Sequence, residues 1–390
     1  MKQVAVKRGR SGPLWVGHPW LFSGAIEREE AGIAAGDVVR VVDADGKFIA
    51  AGFFNPASQI RVRCLTWKDE NIDDELLARH IEEAQGLRNQ LGLPSTETDA
   101  YRLVNSEGDG LPGLIIDRFA DVFAVQFTSL GMKQREAAIF SALQRFSPRA
   151  IVEIGGGRYA ELEGFRSETR IVSGALADRK VRCLENGLTL EVEPLEGQKT
   201  GMFLDQRDNR RRVAELGRGG RVLDVYTFAG SFALNALRHG ATHAICVDSS
   251  ARALERVRAH AALNQIENIE TVQEDAFRFL EAASPLHYDV VVLDPPKFAR
   301  AKKDLDAAMK GYQRLNTLGL NVCKPGGLLV TCSCSQLIST VDFERMLAAA
   351  AKAADRRVQI LESRSQAPDH PVTPAFAEGR YLKCLICRVL

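Results

Sequence analysis

The sequence predicts an α/β chain: a doubly wound parallel sheet in the C-terminal half, behind a small β-barrel and a small α+β domain. Three observations carry this. Short, continuously apolar runs recur after residue 190, namely RVLDVYTF, AICVD, IETVQED, YDVVVLD and GGLLVTCSC. Helical segments such as SFALNALRHG and ARALERVRAHAALNQ lie between them, and that alternation belongs to a parallel sheet covered on both faces. The N-terminal region reads differently: VVRVVDADGKFIAAGFF alternates around Asp45-Gly46, a hairpin signal, and RVRCLTW follows as a further strand.

Taken in order, the barrel is expected over 1–72. A polar helical segment from about Asp73 to Gly92 then leads to Pro94 and a polar loop. YRLVNSEGDGLPGLIIDRFADVFAVQF reads as strands separated by Gly-Asp-Gly and Pro-Gly turns, Met132 to Phe146 has helical spacing, and strand-like runs return at 151–154 and 188–192. The middle domain is therefore placed at 73–190 and the parallel α/β domain at 191–390.

A chain of 390 residues is too long for one core. Its hydrophobic fraction of 45% and charged fraction of 26% are those of an ordinary globular protein. No run of 18 or more apolar residues occurs, so no membrane partner is expected. MKQVAVKRGRSG is basic but leads into no apolar stretch, which argues against a secretory signal and for the cytoplasm. Eight cysteines are scattered through or beside apolar runs and are expected to stay reduced. Cys332, Cys334, Cys384 and Cys387 make a poor zinc set, because C-x-C is the wrong spacing and no histidine accompanies it, so no metal is expected. Net charge is +1, so only clustering speaks for a polyanionic partner. Basic residues bunch at Lys7, Arg8 and Arg10, at Arg207 to Arg212, and at Lys297 to Lys303.

Ligands of such sheets bind outside the carboxyl ends of the strands. Four strand ends carry an acid: Asp224, Asp248, Asp275 and Asp294. After Asp224 comes Val-Tyr-Thr-Phe-Ala-Gly-Ser, with the single glycine Gly230. A pyrophosphate would call for G-x-G-x-x-G at this turn. A ligand without phosphate fits better, and S-adenosylmethionine has none. Asp248, 24 residues beyond Asp224, would take the ribose hydroxyls. Asp275 with the backbone of Ala276 would meet the adenine edge, and Asp224 would lie toward the methionine end. Singly, each aspartate could equally be a helix cap or turn former.

VLDVYTFAGSFALNAL, VDSS, EDAF and DPPKF, in this order and spacing, resemble the motifs of class I methyltransferases. EGQKTGMFLDQRDNR at 196–210, GHPWLFSGAI and DHPVTPAFAEGRYLK resemble the bacterial ribosomal RNA large subunit methyltransferase I family, and the resemblance spans nearly the whole chain. It implies a Rossmann-like methyltransferase domain and a PUA-like RNA-binding barrel. It implies S-adenosylmethionine as cofactor, with Phe203, Asp224, Phe228, Gly230, Asp248, Asp275, Ala276 and Asp294 around it. It implies methylation of C5 of a cytidine, with 23S rRNA or a large-subunit precursor as partner; a homodimer is compatible with the sequence.

C5 of cytosine is a poor nucleophile until a thiolate adds at C6 and turns the ring into an enamine. GGLLVTCSCSQ offers Cys332 and Cys334, which strand alternation points to the same side. In related pyrimidine C5 methyltransferases the nucleophile lies seven residues after the second glycine of a GG turn; counting from Gly327 reaches Cys334. Asp294 would bond the base edge. Where one group of RNA cytosine methyltransferases has Pro-Cys, this chain has Pro295-Pro296, so product release must use another group. D-P-P loops also occur in amino-group and guanine-N7 methyltransferases, which keeps open an RNA methyltransferase acting at guanine N7 or another position without covalent catalysis. No base is evident; Asp369 and His370 are titratable candidates that could equally form a turn. Lys7, Arg8, Arg10, His18 and Trp20 are expected toward RNA, as are Pro295 and Lys297, although Trp20 could equally be a core residue of the barrel; Lys199, Arg207 and Arg210 would approach RNA or the cofactor carboxylate.

Overall fold

The computed structural model describes residues 1–196, 201–299 and 301–390, apart from the side chains of Arg158 and Lys302. The chain divides into two units. The first comprises Met1–Leu184, Glu191–Leu204 and Pro368–Gly379; the second comprises Glu185–Leu190, Asp205–Ala367 and Arg380–Leu390.

The first unit opens with strands β1 (Lys2–Val6), β2 (Trp20–Phe22), β3 (Ile26–Glu29), β4 (Val38–Val42), β5 (Phe48–Phe54) and β6 (Ile60–Thr66). They form one sheet in the order β2-β6-β5-β4-β1-β3, around a core that includes Val4, Leu21, Val41, Ile49 and Val62. The long helix runs Asp74–Gln90 and starts where expected, because Asp73 accepts the amide of Leu76 at 2.9 Å. A second sheet, order β11-β10-β9-β8-β7, follows: β7 (Ala100–Asn105), β8 (Leu114–Phe119), β9 (Val122–Phe127), β10 (Ala150–Glu153) and β11 (Arg170–Gly174). The helical spacing at 132–146 resolves into two pieces, Leu130–Lys133 and Glu136–Gln144. A two-stranded ribbon, β12 (Val181–Glu185) and β13 (Leu188–Val192), closes this part of the chain.

The second unit is an α/β sheet of seven strands, in the order β16-β15-β14-β17-β18-β20-β19. These are β14 (Arg221–Val225), β15 (His243–Asp248), β16 (Ile269–Gln273), β17 (Tyr288–Leu293), β18 (Cys323–Ser333), β19 (Val358–Arg364) and β20 (Lys383–Val389). The five strands read from sequence are parallel, and β20 enters antiparallel between β18 and the edge strand β19. Apolar residues line both faces: one core gathers Leu223, Val291, Tyr312 and Phe343, the other Val222, Phe232, Val257 and Val330. Burial on both faces is why the central strands β14, β15 and β17 are so apolar. Among the described residues, no helix is long and apolar enough to cross a membrane.

Candidate active site

β14 and β17 are neighbours whose connections leave in opposite directions, toward β15 and β16 on one side and toward β18 on the other. Such a switch point leaves a crevice outside the carboxyl ends of the strands. Asp224 and Asp294 stand at these two ends, and the amide of Asp294 reaches the carbonyl of Val225 at 3.5 Å.

Asp224 is buried, and its Oδ2 accepts the Thr227 hydroxyl at 2.7 Å and the Ala233 amide at 3.2 Å. Burial pushes its carboxyl up to about 7; the charge of Asp294 adds to the rise, while the bonds from Thr227 and Ala233 and the charge of Arg210 oppose it. The run RVLDVYTF is a strand only to Val225. Tyr226 (φ 63°) and Phe228 (φ 53°) then take left-handed backbone, as does Gly230 (φ 77°), before the helix Ser231–Arg238 begins. A Cβ on Gly230 would meet the Val257 side chain at 3.0 Å, so this glycine serves close packing as well as the turn.

Asp248, half-buried at the end of β15, ties this turn down: Oδ2 accepts the Phe228 amide at 3.0 Å and Oδ1 the Ser250 amide at 2.9 Å. The Arg256 guanidinium lies 5.7 Å from the Phe228 ring centre. Asp275 is exposed, and its Oδ1 accepts the amides of Phe277 and Arg278, capping the helix Ala276–Ala282. The acids thus shape the turns at the strand ends.

Beside them lie the fourth and fifth strand ends. Gln206 donates to Oδ2 of Asp294 at 3.1 Å. Cys332 is fully buried, opposite Cys384 in the β18–β20 register; its hydrogen bond to Cys384, and then burial, push its thiol well up. Cys334 lies one residue beyond the end of β18 and is only partly buried. Alternation makes the pair look equivalent, but the strand ends at Ser333, and the chain beyond it no longer follows the period of two. The Ser333 hydroxyl donates to the Tyr312 hydroxyl at 3.1 Å, and the Tyr312 ring packs 4.6 Å from Phe298 of the DPPKF loop. Burial holds the Tyr312 hydroxyl up at about 12. In that loop Pro295 is buried and Lys297 exposed.

Sequence reasoning missed Lys383. It opens β20 opposite Ser333, is buried, and donates from Nζ to the carbonyls of Ser335 and Tyr381, the latter at 2.9 Å. Its one signal was a cation at the head of the apolar run LKCLICRVL.

The other expected residues are placed as follows. Arg207 and Arg210 are buried: Arg210 Nη1 bonds both carboxylate oxygens of Glu185, at 2.7 and 2.8 Å, and Arg207 Nε bonds Asp208. Asp369 and His370, the candidate base, are buried in the first unit. There Asp369 accepts the Arg102 amide through Oδ2 and its carbonyl accepts Arg88, while His370 Nδ1 lies 3.1 Å from Asp369 Oδ1. Phe203 also belongs to the first unit, and Lys199 lies outside the described residues. Lys7, Arg8 and Arg10 are exposed on the first unit, with Arg8 paired to Asp45. Trp20 is held by an indole bond to Glu107 at 2.8 Å and by the Phe376 ring at 4.6 Å. Among the described residues no cluster of three or more His, Cys, Asp or Glu side chains could hold a metal.

Comparison with known proteins adds to this geometry. Residues 165–388 match the family described as S-adenosylmethionine-dependent methyltransferase, and residues 4–67 match the PUA-like domain. The chain is 38% identical over 394 residues to ribosomal RNA large subunit methyltransferase I of Enterobacter sp. strain 638, and 39% identical to that of Serratia proteamaculans strain 568. In each case the match covers 100% of this chain and 99% of the relative. In three dimensions the chain is similar to SMU.776, a methyltransferase solved in complex with SAH, with a TM-score of 0.85 at 22% identity, over 99% of this chain and 100% of that one.

Proposed function

Because this chain belongs to the ribosomal RNA large subunit methyltransferase I family, and so is an S-adenosylmethionine-dependent rRNA methyltransferase, we propose that it methylates C5 of a cytidine in 23S rRNA through a Cys334 adduct. The observation that carries the C5 reading is Cys334 itself, part-exposed past the fifth parallel strand and one strand from the switch point, while its neighbour Cys332 is sealed against Cys384.

The residues at the strand ends fit the cofactor by their chemistry. Gly230 is the only glycine between 221 and 239, so nothing there cradles a phosphate, and Asp248 offers a part-exposed carboxylate suited to ribose hydroxyls. Asp224, Phe228, Gly230, Asp275, Ala276 and Asp294 complete the proposed set. Bound there, S-adenosylmethionine supplies the electrophilic methyl, which C5 takes once the ring is activated.

The protein's own part is covalent. The Cys334 thiolate adds to C6, and the electron pair of the C5–C6 bond is placed on C5. After C5 is methylated its proton passes to water, the C5–H electron pair re-forms the C5–C6 double bond, and the C6–S bond breaks to return the thiolate. Asp294, steadied by Gln206, is proposed to bond the amino edge of the base. The target base must be unpaired or flipped to reach such a site. We assign RNA binding to residues 1–72, with Lys7, Arg8 and Arg10, and to Pro295 and Lys297 at the catalytic end. Residues 73–190 are proposed as the middle domain and 191–390 as the methyltransferase domain, with 23S rRNA or a large-subunit precursor as partner.

Cys334→Ala is expected to abolish methyl transfer while S-adenosylmethionine still binds by calorimetry, and Cys332→Ala to retain transfer. RNA containing 5-fluorocytidine should form a covalent complex with the wild type only. Wild-type turnover by Cys334→Ala, with no complex formed, would instead favour a non-covalent methylation at another base position.

A further inference from the structure

A thiol with an ordinary pKa near ~8.5 is only a few per cent thiolate at neutral pH, so a cysteine nucleophile needs a group that favours its anion. The surroundings of Cys334 supply one. β20 runs antiparallel to β18 with Lys383 opposite Ser333, the residue just before Cys334. The Lys383 ammonium donates to the carbonyl of Ser335, the residue just after Cys334, and to that of Tyr381 at 2.9 Å. It is 6% exposed, so water and salt screen its charge weakly.

We propose that Lys383 is the counter-cation of Cys334, a positioning residue that favours the thiolate and fixes the backbone on the far side of the nucleophile. The inference rests on the reading of Cys334 as nucleophile. Among the described residues, the titratable and charged groups around this pair include Tyr312, which Cys334 and Asp294 act on, and Lys297, which acts on Lys383. Of these, Lys297 is exposed and so screened, and Tyr312 is held neutral by burial, while Lys383 is a buried cation bonded to the residue after Cys334 and paired opposite the residue before it. Burial, opposed by Cys334 and helped by the charge of Lys297, lowers the ammonium to about 8. Lys383 therefore stays charged at neutral pH and loses its hold on the thiolate only as pH rises through about 8.

The test is the pH dependence of Cys334 alkylation by iodoacetamide in the full-length protein, followed by mass spectrometry of the peptide carrying Cys334. Lys383→Gln removes the charge but keeps an N–H donor; Lys383→Arg keeps the charge. The wild-type midpoint should lie below the ordinary thiol value. It should rise by about one pH unit or more in Lys383→Gln, a tenfold loss of thiolate at neutral pH, and stay near wild type in Lys383→Arg. Methyl transfer by Lys383→Gln should fall about tenfold at pH 7 in kcat and recover toward pH 9, with KM for S-adenosylmethionine unchanged. An unmoved midpoint in folded Lys383→Gln would overturn the proposal. So would a wild-type midpoint at or above the ordinary value, which needs no variant to fold. The two readings fail separately, because a Cys334→Ala enzyme that still transfers methyl removes the nucleophile, yet the wild-type thiol titration still reports on Lys383.

Discussion

Asp224 carries a consequence for stability that its place in the site conceals. Its carboxyl lies at about 7 in the folded chain, against the ordinary value of 3.8, because burial penalises the charged form. The folded state therefore binds this proton more tightly than the unfolded state does. Between about pH 4 and pH 7 the folded state holds a proton that the unfolded state has released, so this group makes stability fall as pH rises through that window. Below it the contribution is fully favourable; above it the loss is complete. Asparagine has nearly the same shape, can still accept from Thr227 and Ala233, and does not titrate. Asp224→Asn should thus gain on the wild type as pH rises from 4 to 7, by at most on the order of 1.4 kcal/mol per pH unit. Thermal unfolding of both proteins across that range checks it; parallel Tm curves would show that Asp224 does not titrate in this window.

The first turn of the α/β unit is an element in which three conformational demands meet. Tyr226 and Phe228 adopt positive φ without being glycine, and Gly230 adopts it where a side chain would press on Val257. Gly230→Ala is expected to cost about 1–2 kcal/mol, from the left-handed backbone together with the 3.0 Å approach to Val257, and to weaken S-adenosylmethionine binding by displacing the Phe228 amide from Asp248. A thermal shift measured with and without ligand separates the two effects; equal ligand-induced shifts in variant and wild type would detach the turn from binding. This turn also marks where sequence reading succeeds and where it stops. Glycine and the strand-end acids were legible because they are local signals, as were the central parallel strands, whose two buried faces make them largely apolar; the half-exposed β16 followed from its place in the alternation. The left-handed Tyr226 and Phe228 were not, since nothing in residue type announces φ > 0 at an aromatic. Nor were β19 and β20: β19 is largely exposed, and inserting the last strand of the chain between β18 and β19 is a pairing between distant segments. Lys383 was hidden for the same reason, being 49 residues from the cysteine it serves. The burial of Arg207 and Arg210 was not legible either, because a basic cluster looks alike whether it faces solvent or, as with Arg210, a buried Glu185.

For the whole molecule, that distinction divides its positive charge into two kinds with different measurable effects. Net charge is +1, so attraction to a polyanion cannot come from the chain at large and must come from local groups of cations. Lys7, Arg8 and Arg10 are exposed within the N-terminal sheet region, where Arg8 shares its charge with an equally exposed Asp45. An exposed pair of that sort is worth little and gives up its partner readily to a phosphate. Arg210 is the opposite case, a buried cation whose partner would be stranded without it. Replacing Lys7, Arg8 and Arg10 together by alanine should leave Tm nearly unchanged. It should reduce the slope of log affinity for rRNA fragments against log salt concentration by about 2, at roughly 0.7 for each single-strand phosphate that is no longer neutralised. Arg210→Ala should do the reverse, costing about 3–5 kcal/mol of folding stability while leaving the salt slope of the surviving folded protein where it was. Filter binding at several salt concentrations alongside thermal unfolding reads both quantities. A salt slope that moves with Arg210 and not with the N-terminal triplet would transfer RNA binding from the N-terminal region to the α/β unit.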